Sequence, residues 1–498
     1  MAALASGVML HLLLVLTWPT AVPQTAHELP GLLPVAGLAL LVAGWLGAAW
    51  LLAQPHRVLF AVLLCCAGLP DVMEGFSIRP AGFNIFGQDI FLMLVATDVL
   101  RRFLCARAGS RLPGGEALGA DPRALRAIAP LLPALAIFFC MGFLQMGRGI
   151  ALGSLFHDAL GDFRRGYVYL LLFLYPATLP DAHRTVRTIR AALLTAAGIH
   201  VLTAMGQLAL GQLERRMVLD AAHVLHHFTL VVVAFAAYEA LSRLLQRGEI
   251  PGGRLLPMAV FAITSMIVVV GNFRSVWLGF VAGSMMLLVL GDARVRARLI
   301  GVGMVGMVAM AAALALAWGL PAGHRGETVG EEIGRKIFLS KQFRTDLNII
   351  WRQQSYAAAL ERWRERPALG AGLGVMNSFF VLTSAGDVRL AERHRVHNSY
   401  LWILQTTGVV GMLLFVWLHG GFVWLALRGI RKALRAGGEP PVLAMALLAF
   451  YTAFMVTSGF DVLLEMSTRI LTLALAMSGC LIAASLASSP DPPRQVPS

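Results

Sequence analysis

The stretch "RHRVHNSYLWILQTTGVVG", residues 393–411, sets His397 at the head of an apolar run, with Asn398, Ser399 and Tyr400 behind it. A neutral imidazole can take a proton near neutral pH, so a histidine here suits a general base for an attacking hydroxyl. A polar residue at the start of a helix also caps free backbone N–H groups, and that structural reading competes for both His397 and Asn398. Arg274, in "GNFRSVWLGF", stands between two apolar runs in a connection with almost no other polar residue. Arg352 breaks an apolar stripe in "NIIWRQQSYAAALERWRERP". A guanidinium offers a planar fork to phosphate oxygens, which suits an anion site. The competing role is a long side chain reaching to lipid headgroups. The same two readings apply to Arg164, Arg165, Arg215 and Arg216. His223 and His227 have i,i+4 spacing, but no carboxylate follows at a familiar distance, so no metal site is expected. Asp71 and Glu74 are the nearest approach to an acidic metal motif, and a weak one.

The elements that position these residues follow from composition. Of 498 residues, 58% are hydrophobic and 14% charged, and mean hydropathy is +0.72. Apolar runs of about 20 residues recur from end to end, each long enough to cross a hydrocarbon core of about 30 Å. The expected fold is an all-α polytopic membrane protein. Spans are read near residues 4–19, 31–53, 57–70, 85–104, 127–146, 166–180, 188–211, 224–246, 255–272, 274–291, 299–320, 397–427, 441–460 and 468–488. That makes about fourteen, or twelve or thirteen if one or both of the short third and sixth are dropped. The first run is read as a membrane helix rather than a cleaved signal, because no basic segment precedes it. The net charge of +14 is dispersed between spans, which argues against a nucleic-acid partner. The five cysteines lie in or beside apolar spans and suggest no disulfide framework.

Arginine and lysine in short loops give the orientation. Arg101, Arg102, Arg107, Arg111, Arg123 and Arg126 share one loop; Arg184, Arg187 and Arg190 another; Arg243, Arg247 and Arg254 a third. Arg294, Arg296 and Arg298 form a fourth cluster, and Arg428, Arg431, Lys432 and Arg435 a fifth. With fourteen spans all of them fall on one side, the cytoplasm. The expected layout is membrane helices over 1–320, an external loop over 321–396, membrane helices over 397–488 and a disordered tail over 489–498. Within the loop, residues 348–366 read as a helix stopped by Pro367, with Ile349, Tyr356, Leu360 and Trp363 on one stripe. "ALGAGLG", residues 368–374, reads as a flexible glycine turn.

Taken together, "RPALGAGLGVMNSFF" and "HRVHNSYLWILQTTGVVGMLLF" resemble the C-terminal domain shared by O-antigen ligases and O-antigen polymerases. His397-Asn398-Ser399-Tyr400-Leu401 resembles the family's His-Asn/Ser-x-x-Leu motif at the head of a span. Arg274-Ser275-Val276-Trp277-Leu278 looks like its Arg-x-x-x-Leu signature, and Arg352 is the best match to a third basic residue before the Pro-Gly turn. The likeness is good over residues 270–420; elsewhere it rests on topology, and the family usually has about twelve spans.

The resemblance implies a metal-independent, GT-C-type glycosyltransferase in a bacterial inner membrane, with its site facing the periplasm. The donor would be an undecaprenyl-diphosphate-linked glycan and the acceptor a glycan or lipid A–core, with membrane lipids as the surroundings and no cofactor. It implies His397, Arg274 and Arg352 as catalytic residues. Beside them, Arg165, Arg215, Arg216, Asn398 and Tyr400 are expected to bind substrate. A glycan ligase is the first reading and a repeat-unit polymerase the alternative, since the two share every motif used. A lipid-glycan transporter is a third reading, and it predicts charges near span midpoints and discontinuous helices.

Overall fold

The structure is a computed structural model. It describes residues 47–75, 77–78, 85–108, 119–209, 214–215, 222–223, 225–245, 253–271, 273–291, 296–297, 301, 347–382, 388–393, 396–436 and 440–488. The spans expected at 4–19 and 299–320, most of that at 31–53, and the tail beyond 488 lie outside these residues. The described chain is built of helices: α1 (Pro55–Gly68), α2 (Pro70–Gly75), α3 (Gly87–Arg107), α4 (Pro122–Ile128), α5 (Leu132–Ala151), α6 (Phe156–Phe163), α7 (Ala182–Ala209), α8 (His227–Leu244), α9 (Leu255–Val270), α10 (Arg274–Leu290), α11 (Leu347–Glu365), α12 (Ser399–Arg435), α13 (Val442–Ser458) and α14 (Ser467–Ser488). Five described segments are long and apolar enough to cross a membrane: α4 with α5, α7, α8, α12 and α14. α1, α9, α10 and α13 are shorter apolar helices. This is an all-α polytopic membrane protein. Its described strands are two two-residue pairs and one antiparallel hairpin, Asn377–Leu382 with Val388–Arg393.

Local sequence explains the irregular elements. Pro130 and Pro133 lack backbone N–H groups, so the chain tightens into a 3-10 turn at Ala129–Leu131 between α4 and α5. The span expected at 166–180 is a compound element instead. α6 passes through a π turn at Arg164–Val168 into a 3-10 segment at Tyr169–Thr178, which contains Pro176. Expected boundaries elsewhere agree with the helices to within about five residues, except that α7 starts six residues before its expected start at 188 and α12 runs eight residues past its expected end at 427.

α8 and α14 form the centre. Every residue of α8 except Arg243 is buried, and α14 is buried almost throughout. A helix that is apolar all round belongs inside a bundle rather than against lipid. Around them one end of the bundle collects arginines that hold carboxylates. Arg101 and Arg102 bond Asp98, and Arg190 and Arg243 bond Glu239. The opposite end carries the starts of α8, α10, α12 and α14, where the candidate site lies.

Candidate active site

Asp461, in the short connection between α13 and α14, is the hub. Its carboxylate is 3% exposed and stands between two histidines. One oxygen lies 2.8 Å from Nδ1 of His227, the first residue of α8, close enough for a hydrogen bond though not aligned for one. The other lies 3.5 Å from Nδ1 of His397 and also accepts the Val462 amide at 2.8 Å. Burial alone would push the Asp461 carboxyl up. His227, His397 and Arg469 outweigh it and hold the group well below the usual carboxylate range. It is therefore ionised at any pH near neutral. The Asp461 carbonyl accepts from the Ser399 hydroxyl at 3.0 Å, which ties the connection to the head of α12.

His397 is the open member, with its side chain 34% exposed against 11% for His227. It does not cap α12: Asn398 does, accepting from the amides of Tyr400 at 3.0 Å and Leu401 at 3.1 Å. Trp351 of α11 packs edge-on to the imidazole at 4.5 Å between centroids. One turn further along α11, the Tyr356 hydroxyl donates to the His397 carbonyl at 2.6 Å. Burial pushes that hydroxyl up, so it keeps its proton.

Two cations flank this group, and a third opens a neighbouring helix. Arg352, one residue after Trp351, donates to the Phe460 carbonyl at 3.0 Å, next door to Asp461. Arg274 opens α10, and the preceding Phe273 lies on His227 with ring centroids 3.6 Å apart. Arg469, in the first turn of α14, donates to the Val462 carbonyl at 3.3 Å and lies 3.4 Å from His226 Nδ1. Of the residues expected from sequence, Arg352 and His397 are thus brought beside one carboxylate from two segments of the chain, while Arg274 opens the helix whose preceding residue, Phe273, packs on His227. Four helix N-termini meet there, those of α8, α10, α12 and α14. Their dipoles, and the first-turn N–H groups not already taken by His226 and Asn398, favour an anion. The C-termini of α9 and α13 reach the same end and offset part of that field.

The other expected residues lie elsewhere. Arg165 bonds Asp162 at 3.2 Å, and Asp162 accepts the Gly374 amide at 2.9 Å, so this arginine supports the glycine turn rather than His397. Arg164 bonds Asp89 at 2.9 Å. The Tyr400 hydroxyl donates to the Met455 carbonyl at 2.6 Å, between α12 and α13. The Arg215 and Arg216 side chains lie outside the described residues, as does that of His223. Asp461 and Arg469 were missed in the sequence, and His227 entered only as a metal candidate. The available signal was "SGFDVLLEMSTR", residues 458–469: a connection of a few residues between two apolar spans that carries two carboxylates and an arginine. Ionisable groups at such places are costly and mark function.

The glycine turn fixes the distance between α11 and α12. α12 breaks at Gly408, whose φ of 66° and ψ of −167° are not helical. Two helical bonds are opened there. Ala371 and Gly372 donate to the freed carbonyls of Gln405 at 2.8 Å and Thr406 at 3.0 Å. The freed amides of Val409 and Val410 donate to the carbonyls of Pro367 at 2.9 Å and Ala368 at 3.1 Å. On the turn's other side Leu373 donates to the Gln145 carbonyl of α5 at 3.0 Å. Gly370, Gly372 and Gly374 all have positive φ, and the backbone of a neighbour fills the space where a Cβ would stand. The turn read from sequence as flexible is clamped between α5 and α12.

Compared with known proteins, the chain matches the family model described as O-antigen ligase over residues 259–416, about a third of its length. No curated protein matches it. The matched segment encloses Arg274, Arg352, the glycine turn and His397, and over that segment the chain carries the domain of the O-antigen ligase family.

Proposed function

We propose that the protein transfers a glycan from a polyprenyl-diphosphate carrier to an acceptor hydroxyl, on the face of the membrane opposite the arginine-rich end, and that it is a ligase. The observation that supports this best is that Arg352 and His397, both within the O-antigen ligase match, meet at Asp461, with Arg274, also within the match, opening α10 next to the Phe273 that packs on His227. With Nδ1 turned toward Asp461, His397 presents Nε2 to the acceptor. The acceptor oxygen bonds to the anomeric carbon of the donor sugar as the bond from that carbon to the diphosphate oxygen breaks. The hydroxyl proton goes to His397, and the electron pair leaves with the diphosphate. Arg274, Arg352 and the helix N-termini meet the negative charge that grows on the leaving group, a kind of stabilisation that is commonly the largest catalytic term. Asp461 stabilises the imidazolium that forms, as a buried carboxylate does beside a catalytic histidine. A positioned base contributes about 10²–10⁴-fold.

The test is transfer by the purified full chain in proteoliposomes, given a polyprenyl-diphosphate glycan. One arm supplies lipid A–core as acceptor and the other only more of the lipid-linked glycan. Product on lipid A–core is expected. Elongation of the lipid-linked glycan alone would make the protein a polymerase, and no product in either arm would refute the proposal.

A further inference from the structure

The far end of α12 carries a feature that the transfer chemistry does not use. α12 has 37 residues and is about 55 Å long at 1.5 Å per residue. Its apolar part ends at Leu427, and its last two turns hold Arg428, Arg431, Lys432 and Arg435. Trp424, Arg428, Arg431 and Arg435 recur at helical spacing on one face, and all four are exposed. The opposite face, Phe422, Ala426, Ile430 and Ala433, is buried. The Arg428 guanidinium lies over the Trp424 ring, 5.3 Å from its centroid. These residues with Leu427 and Lys432 line a shallow open groove.

Among the described residues none of the four cations of the groove holds a carboxylate, whereas Arg101, Arg102, Arg190 and Arg243 at the same end each do. A tryptophan sits well at the boundary between hydrocarbon and headgroups, and guanidinium forks fit phosphate oxygens. Stacking on Trp424 holds one fork at that depth. A ligand that matches the groove is anionic at the water side and apolar one turn deeper. We propose that this groove binds the phosphate headgroup of an anionic phospholipid, with Trp424 and Leu427 against the glycerol and upper acyl chain. The interaction is independent of the transfer reaction.

The experiment is native mass spectrometry of the detergent-purified full chain with phosphatidylglycerol and phosphatidylcholine of equal chain length. The wild type is expected to retain phosphatidylglycerol in preference. In the Arg428→Gln/Arg431→Gln/Arg435→Gln variant that preference falls at least about tenfold. Arg362→Gln/Arg364→Gln/Arg366→Gln removes the same charge from the other end and keeps the preference. Equal retention of the two lipids by the wild type, or an equal loss in the control variant, refutes the proposal. Displacement of phosphatidylglycerol by millimolar inorganic phosphate would mean a free-anion site and refutes it as well. If the first variant does not fold, a photoactivatable phosphatidylglycerol on the wild type decides: cross-links are expected within residues 424–435, and their absence there refutes the site.

Discussion

Asp461 changes what is expected of each residue around it. A histidine that merely sat at a helix start would tolerate asparagine, the better cap, but Asn398 already caps α12. His397→Asn should therefore lose most turnover while the protein still folds and binds the lipid-linked donor. Near wild-type turnover would return His397 to a structural role. Asp461→Asn removes the charge that stabilises the imidazolium, and it leaves His227 and Arg469 facing a neutral amide. Turnover should drop by about 10²–10⁴-fold. The pH dependence of the fold then has a definite sign. Asp461, held well below the usual range, stays ionised on mild acidification. Its contribution to stability is present above the ordinary carboxylate range and is lost only as pH drops through its lower folded value. In a circular-dichroism pH series the wild type should keep its fold to a lower pH than Asp461→Asn, and equal acid midpoints would remove Asp461 from the fold's pH dependence. Arg274→Ala and Arg352→Ala should each abolish or strongly reduce transfer, with lysine restoring only part of it because an ammonium lacks the two-pronged contact. Full activity in either alanine variant would remove that residue from the diphosphate site.

Elements, more than single residues, decide whether the site is held together. The Gly408 break resembles the discontinuous helices of transporters, but the four backbone groups it frees are taken by the chain's own turn and none is left for a cargo. The break serves as a joint that locks α11 and its Arg352 to α12 and its His397. At Gly408 a Cβ would stand 2.3 Å from the Ala368 carbonyl oxygen, and at Gly372 it would stand 2.4 Å from the Gly149 nitrogen. Backbone strain at such positions alone costs about 1–3 kcal/mol. Gly408→Ala and Gly372→Ala should therefore lower the thermal midpoint in detergent and reduce transfer together. Gly420→Ala, twelve residues along the same helix with nothing within 4 Å of its added methyl, should be neutral or slightly stabilising. Equal midpoints for Gly420→Ala and Gly408→Ala would mean that the joint is not clamped. The glycines were legible as a turn, since three in alternation cannot continue a helix. Their clamping was not, because the partners Gly149 and Thr406 come from other parts of the chain, and close backbone approach leaves no trace in hydropathy. For the same reason His397 and Arg352 stand out as polar residues in apolar surroundings, while only the fold shows that Asp461 has two histidines beside it.

At the scale of the whole molecule, Arg101, Arg102, Arg190 and Arg243, described members of the clusters that gave the orientation, lie at one end of the bundle. Periodicity marked most described helices because a lipid-facing or buried helix must be continuously apolar. It gave no warning of the segment at 164–178, where π and 3-10 turns replace the expected span, since both kinds of turn are made from the same apolar residues. The two ends now make a test of sidedness that does not rely on counting spans. Gln353 of α11 is exposed at the end that holds His397, and Ala436 is exposed just past the last basic turn of α12. If arginine-rich ends remain in the cytoplasm, the site faces the other way. In intact cells with a permeabilised outer membrane, an impermeant thiol reagent should label Gln353→Cys above the background of the native cysteines and leave Ala436→Cys unlabelled until the inner membrane is opened. The reverse pattern would put the site in the cytoplasm. Donor and acceptor would then have to meet on the cytoplasmic face, and the proposed transfer across from the arginine-rich end would fail even if every residue of the Asp461 cluster proved essential.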